Sequence, residues 1–130
     1  MTYALPDGYL YRMNDLRILA IVIASGAGTA CGLTPVCTLE ARPGISAVVR
    51  DSVTGAGLAV GTIAVAREGV FLDTLRGVDS LLWGVYERAG TYQLQVSRSG
   101  YQSWSRNGVR VSGGDCHVET ARVLVLLVPE

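Results

Sequence analysis

The residues best suited to chemistry lie together in GGDCHVETARV, residues 113–123, which holds the chain's single histidine, His117, next to Cys116. Asp115 and Glu119 flank this pair. A thiol, an imidazole and carboxylates so close in sequence could bind a metal ion, form a cysteine nucleophile with its base, or have no chemical role. The choice depends on the elements that position the pair.

A β-strand is the element expected here, and it points neighbouring side chains to opposite faces, so Cys116 and His117 are poorly placed to act on one ion or on each other. With one histidine in the chain, a tetrahedral zinc site also lacks ligands. The carboxylates Asp73 and Asp79 form another candidate pair, but acidic residues in turns are usually solvated. We therefore predict no metal, no cofactor, no catalytic residue and a protein that is not an enzyme.

The start of the chain has the layout of a secretory signal peptide. Residues 18–30 carry no charge and follow Arg12 and Arg17. This apolar run is shorter than the roughly 20 residues of a spanning helix, so a retained membrane anchor is the less favoured alternative. Met13 is an alternative start of translation, since MNDLR would then be the charged leader. We predict that residues 1–30 are a signal peptide.

The apolar run ends in GTAC, residues 28–31, which resembles the lipobox of bacterial lipoproteins. The resemblance implies that Cys31 becomes the lipid-modified N-terminus, with residues 31–37 as a short tether to the membrane. Gly32, unlike an aspartate, does not resemble an inner-membrane retention signal. The expected location is therefore the bacterial envelope, in the outer membrane facing the periplasm.

The three cysteines, Cys31, Cys37 and Cys116, are an odd number for an oxidising compartment. If Cys31 carries the lipid, Cys37 and Cys116 remain as a pair. We predict that they form a disulfide fastening the start of the domain to its last strand, with His117 as an exposed neighbour. The Cys-His dipeptide then needs no chemical function.

Residues 38–130 carry frequent turn signals, including Arg76-Gly77, between runs rich in Val, Ile, Tyr, Trp and Thr. They predict a single all-β domain, an antiparallel seven-stranded Greek-key sandwich of transthyretin or immunoglobulin type. The expected strands lie near 44–50, 60–67, 70–75, 80–87, 91–98, 102–111 and 115–128. In TYQLQVS, residues 91–97, apolar and polar residues alternate, as in a half-buried strand. In the last run the alternation would bury Arg122, so we expect a bulge or twist near Ala121. Beyond it, VLVLLV should either be covered on both faces or cross between sheets.

The segments ISAVVR, DSVTG and ERAGTYQLQVSRSGY together resemble the carboxypeptidase regulatory-like domains of the transthyretin-like group. Such domains have a D-x-x-T-G turn after the first strand and G-x-Y-x-L-x-V running into a Gly-Tyr turn. The resemblance covers about residues 44–128 and rests on turn glycines and core positions. It implies the sandwich fold and leaves the function open.

The eleven acidic residues balance the eleven basic ones, which disfavours nucleic acid, an anionic membrane and other electrostatic partners. The remaining ligand candidate is a platform of aromatic side chains, namely Trp83, Tyr86, Tyr101 and Trp104. We therefore expect a non-catalytic structural or protein-interaction module, with carbohydrate binding through exposed aromatic rings as the alternative. The five residues between Cys31 and Cys37 reach at most about 20 Å, so the partner should be membrane-proximal, either an envelope protein or a glycan. The oligomeric state is left open.

Overall fold

A computed structural model describes residue 32 and residues 34–130, so the predicted signal peptide and the predicted lipidation site Cys31 lie outside the described residues. The described part is all-β and contains no helix, which confirms the predicted class. Eight strands form, namely β1 (Pro43–Asp51), β2 (Ile63–Glu68), β3 (Phe71–Val78), β4 (Leu81–Tyr86), β5 (Gly90–Ser97), β6 (Trp104–Gly113), β7 (Val118–Glu119) and β8 (Ala121–Leu127).

The strands follow one hydrogen-bonded order, β7-β6-β5-β2-β3-β4-β1-β8, and the sheet curls nearly into a barrel. Every pairing is antiparallel except that of β1 with β8, which is parallel. The prediction of seven strands in an all-antiparallel sandwich was therefore too specific. The long strand β3 explains the continuity, because its first half pairs with β2 and its second half with β4.

The two ends of this order are joined by a single residue, Thr120, which separates β7 from β8. The chain pairs with β6 before Thr120 and with β1 after it. The Thr120 hydroxyl donates a hydrogen bond of 2.7 Å to the Pro43 carbonyl oxygen at the start of β1. This crossing restarts the alternation, so Arg122 is exposed as the sequence required.

The core fills the inside of the curled sheet. On β5 the predicted alternation is confirmed, because Tyr92, Leu94 and Val96 are buried. The small side chains Ala64 and Ala66 of β2 lie on the adjacent strand, where they leave room for the larger ones. Further buried aliphatic residues come from β1, β6 and β8, namely Ile45, Val49, Val109, Val111, Val123, Val125 and Leu127.

The predicted turn at Arg76-Gly77 was wrong, since both residues lie in β3 and the chain reverses at Asp79-Ser80. Gly77 pairs with Leu82, and a Cβ at Gly77 would overlap the backbone oxygen of Leu81. The glycine is required for this close approach rather than for a turn.

Candidate functional site

The predicted disulfide between Cys37 and Cys116 is present, with the two Cα atoms 5.2 Å apart. It joins the segment ahead of β1, residues 34–42, which we call the lead-in, to the bend that precedes β7. Each cysteine is followed directly by a polar residue, Thr38 on one side and His117 on the other. The bond therefore brings the hydroxyl and the imidazole together.

His117 is hydrogen-bonded through both ring nitrogens. Its Nδ1 lies 2.6 Å from Oε1 of Glu87, and its Nε2 lies 2.9 Å from Oγ1 of Thr38. Because a carboxylate only accepts hydrogen bonds, Nδ1 carries a proton, and in the neutral imidazole Nε2 accepts the Thr38 hydroxyl proton. The prediction of an exposed His117 was therefore wrong, because only 13% of its side chain is accessible.

Sequence analysis did not identify Glu87 as a site residue. A strained corner at the end of β4 positions its side chain next to His117. Val85 and Glu87 both adopt positive φ, 57° and 50°, which costs about 1–3 kcal/mol per residue. The Val85 N–H donates to Oδ2 of Asp73 at 2.7 Å, which helps to hold the corner. Asp73 of β3 thus has a structural contact, whereas Asp79, the other member of the candidate carboxylate pair, lies in the β3–β4 turn.

The Glu87 carboxylate binds the lead-in and β7 at once. Oε1 accepts the Arg42 N–H at 2.7 Å, and Oε2 accepts the Val118 N–H at 3.3 Å. The Arg42 N–H first, and then His117, hold the pKa of the Glu87 carboxyl below its ordinary value despite partial desolvation. We call Glu87, His117, Thr38 and the Cys37–Cys116 bond the clasp.

The clasp has the connectivity of a carboxylate–imidazole–hydroxyl relay, an arrangement that activates a hydroxyl in acyl-transfer enzymes. Here the hydroxyl belongs to a threonine on the lead-in, and the carboxylate is also bonded to two backbone N–H groups. The side-chain hydrogen bonds of Glu87 and His117 thus connect the lead-in, the corner after β4 and the segment at β7. This geometry fits fastening of the lead-in better than catalysis.

The four predicted platform residues do not form one surface. Trp83 lies in a shallow cleft with Pro43 and Arg122, whereas Trp104 lies in another cleft formed by β2, β5 and β6. The two clefts share no lining residue. The Tyr101 hydroxyl donates to Oδ2 of Asp51 at 2.8 Å, while Tyr86 is half exposed at the end of β4.

The outer face of β3, β4, β1 and β8 is unusually apolar. The pairing registers align four aliphatic side chains in one row across these strands, in the order Val78, Leu81, Val48 and Leu124. Val78 is 58% exposed and Leu124 is 56% exposed, while the middle two are half-buried. We call this row, together with the neighbouring Trp83 and Leu126, the apolar face.

The outer face of β3, β2, β5 and β6 can be compared with the apolar face for the share of aliphatic residues in a row. The corresponding row across β3, β2, β5 and β6 is Thr74, Val65, Gln95 and Ser105, with one aliphatic residue among four. A row of this composition is typical of a solvated sheet face. Ile63 and Leu72 on the same face are also exposed, but they lie in two different rows. The apolar face departs from that composition and is the stronger candidate for a binding surface.

No protein-family model matches the chain, and no curated protein matches its sequence. Within residue 32 and residues 34–130, no three His, Cys, Asp or Glu side chains are grouped as a metal site. In the same part of the chain, no helix has the length and apolar character needed to cross a bilayer.

Proposed function

We propose that the protein is a non-catalytic lipoprotein of the bacterial envelope whose β domain is an interaction module held close to the membrane. The observation that carries the proposal is the apolar face, in which four aliphatic residues align in one row across four neighbouring strands. A contiguous exposed apolar patch on a small domain is typical of an interaction surface. The resemblance to carboxypeptidase regulatory-like domains is compatible with this role.

The clasp supports the anchored part of the proposal. It fixes the lead-in at Cys37, six positions after the expected lipidation site Cys31. Six intervals of at most about 3.6 Å keep the domain within roughly 20 Å of the lipid. A module so tethered meets partners in or near its own membrane, and we place it in the outer membrane facing the periplasm.

Carbohydrate binding is the weaker proposal on this geometry. Stacking on a sugar chain would need several aromatic rings on one surface, and Trp83 and Trp104 lie in separate clefts. The Tyr101 hydroxyl is already bonded to Asp51. We therefore do not propose a glycan as the partner.

The lipid anchor is tested by expressing the full gene and its Cys31→Ser variant in a bacterial host. The expected wild-type product has the mass of a lipidated chain beginning at Cys31 and partitions into detergent, whereas the variant does neither. A wild-type product with an unmodified Cys31 would remove the anchor from the proposal.

The interaction module is tested by placing a photo-crosslinking amino acid at position 124 of the apolar face, with position 95 of β5 as the matched control. Leu124 and Gln95 are both exposed strand positions. In intact cells we expect a defined envelope component to be crosslinked from position 124 and not from position 95. Equal labelling at the two positions would contradict an interaction surface at β8.

A further inference from the structure

We propose that the apolar face binds an anionic lipid surface. The inference rests on the proposed function only in that the chain is delivered to a membrane. The inference names the partner of the apolar face and the orientation of the domain on the membrane. In this orientation β3, β4, β1 and β8 lie against the lipid, and β2, β5 and β6 lie on the side away from it.

Three arginines surround the apolar row. Arg76 and Arg122 lie at the two ends of the next outward row, on either side of Trp83 and Ser46, and Arg50 is adjacent to Leu126. Arginine can lay its aliphatic stem along an apolar surface while the guanidinium reaches lipid phosphates. Tryptophan is likewise favoured at the level of the headgroups.

The charge on this face is cationic although the whole chain is neutral. The ten outward positions paired across the four strands hold three arginines and no acidic residue. None of the three arginines is ion-paired with a carboxylate of the described residues. Asp79 in the β3–β4 turn and Glu119, next to Thr120 of the Trp83 cleft, are acidic residues at the rim of this face. The whole chain is neutral, but the potential on this face is therefore positive, which favours an anionic partner.

A second copy of the chain fits this face poorly. In a symmetric dimer the same patch meets itself, so each arginine cluster would face the other without acidic residues between them. Face-to-face contact would then combine apolar burial with repulsion of like charges. The charge pattern thus disfavours a symmetric homodimer through this face and favours a negatively charged surface.

The lead-in favours lipid over an acidic protein as that surface. It enters the sheet at Pro43, which lines the same cleft as Trp83 and Arg122. On the lead-in itself Val36 and Leu39 are almost fully exposed. The segment that runs back to the expected lipid attachment site therefore joins the domain at the edge of the apolar face. The row spans four strands, roughly 14 Å along the sheet at the usual strand spacing.

Trp83 and Trp104 provide the direct test, because Trp83 lies on the apolar face, whereas Trp104 lies on β6, outside that face, and packs against the core. We would use the full chain with Cys31→Ser, carrying either Trp104→Phe or Trp83→Phe so that one tryptophan remains. The probes are phosphatidylcholine vesicles, with and without phosphatidylglycerol, whose acyl chains are brominated to quench nearby fluorescence. We expect quenching of Trp83 with the anionic vesicles and little quenching of Trp104.

The arginines are tested in the same assay by replacing Arg50, Arg76 and Arg122 together with glutamine. Near an anionic membrane each arginine strengthens binding about fivefold, so loss of all three should weaken it about a hundredfold. The matched control replaces three exposed arginines of the other face, Arg67, Arg106 and Arg110, with the same change in net charge. It should leave vesicle binding nearly unchanged.

The apolar contribution is tested with Leu124→Ser, which should abolish the selective quenching of Trp83. The matched control, Val70→Ser in the β2–β3 turn, replaces a fully exposed aliphatic residue away from the face and should not. Melting temperatures of all variants establish that they are folded.

The outcomes separate this inference from the proposed function. Equal quenching of Trp83 and Trp104, or equal losses in the two arginine triples, would overturn lipid binding by this face. A protein crosslinked from position 124 without Trp83 quenching would overturn the inference and leave the interaction module standing. Selective Trp83 quenching together with an unlipidated Cys31 would support the face and remove the anchor.

Discussion

Asp51 shows at the scale of one residue how a buried carboxylate organises the first turn after β1. Its Oδ1 accepts the N–H groups of Val53 at 2.7 Å and Thr54 at 2.9 Å, and its Oδ2 accepts the Tyr101 hydroxyl at 2.8 Å. The Thr54 N–H first, followed by that of Val53, holds the pKa of Asp51 below its ordinary value. The hydrogen bond that the Tyr101 hydroxyl donates to Asp51 raises the pKa of Tyr101.

Asp51, Glu68 and Glu87 together predict an acid-sensitive fold. The Arg88 side chain lowers the pKa of Glu68, and the Arg42 N–H lowers that of Glu87. A carboxyl whose pKa is lower in the folded state binds fewer protons there than when unfolded. Its stabilising contribution is therefore present above the unfolded pKa, near 4, and is lost as the pH falls through the folded pKa.

The measurement is the melting temperature between neutral pH and about pH 2, a range that spans the ordinary carboxyl pKa. We expect a clear fall in the melting temperature of the wild type below about pH 4 and a smaller fall for Asp51→Asn. The control Glu119→Gln, at the exposed residue of β7, should show the same profile as the wild type. A wild-type profile that stays flat into strong acid would contradict the prediction.

At the scale of one element, Gly77 of β3 shows that a glycine can be required by a close approach of two strands rather than by a turn. Both need glycine, so the sequence alone could not separate them. We predict that Gly77→Ala destabilises the fold by about 1–3 kcal/mol or more, because the new Cβ would overlap the Leu81 backbone oxygen.

Gly113→Ala is the matched control for that substitution, since its new Cβ would meet no atom closer than the Ala89 Cβ at 3.8 Å. Urea unfolding of the two variants measures the difference. Equal stability of both would show that β3 and β4 can separate at this point without loss.

The strands themselves were largely predictable, because runs of β-branched and aromatic residues alternate with turn signals along the chain. The burial of Tyr92, Leu94 and Val96 followed from period two alone, and an irregularity near Ala121 followed from the cost of burying Arg122. The alternative that VLVLLV is covered on both faces was wrong, since Leu124 and Leu126 are exposed. Continuation of β3 through Gly77 was not predictable, because it depends on a contact with another strand.

The clasp was predictable only in part. The number of cysteines indicated the disulfide, and the adjacent Cys116 and His117 identified the imidazole as a candidate site residue. The role of Glu87 was hidden, because it lies 30 residues from His117 and is aimed by a corner with positive φ that has no glycine. The apolar face was hidden for a similar reason, since it forms only when β1, β3, β4 and β8 are placed side by side.

At the scale of the whole molecule, the Cys37–Cys116 bond closes a loop with a sequence separation of 79 residues. In the chain-entropy model such a closure stabilises the folded state by about 4 kcal/mol, before any strain is subtracted. We predict a loss of up to that size for the variant with Cys37→Ser and Cys116→Ser, measured by denaturant unfolding.

The control for the disulfide is His117→Gln, which keeps the covalent bond and removes the hydrogen bonds of the imidazole. It should cost clearly less than the double cysteine substitution. A double variant as stable as the wild type would mean that the unfolded chain is already compact enough for closure to add nothing.

The position of that bond also determines how the domain would respond to mechanical force. When the chain ahead of Cys37 and the C-terminus are pulled apart, the tension passes directly from Cys37 to Cys116 and bypasses β1 to β6, which lie within the closed loop. The load falls on the short path through β7 and β8, and β8 is held to β1 along its whole length by parallel pairing. Extension can therefore free only the residues outside the loop, while the strands within it cannot be drawn out as long as the disulfide is intact.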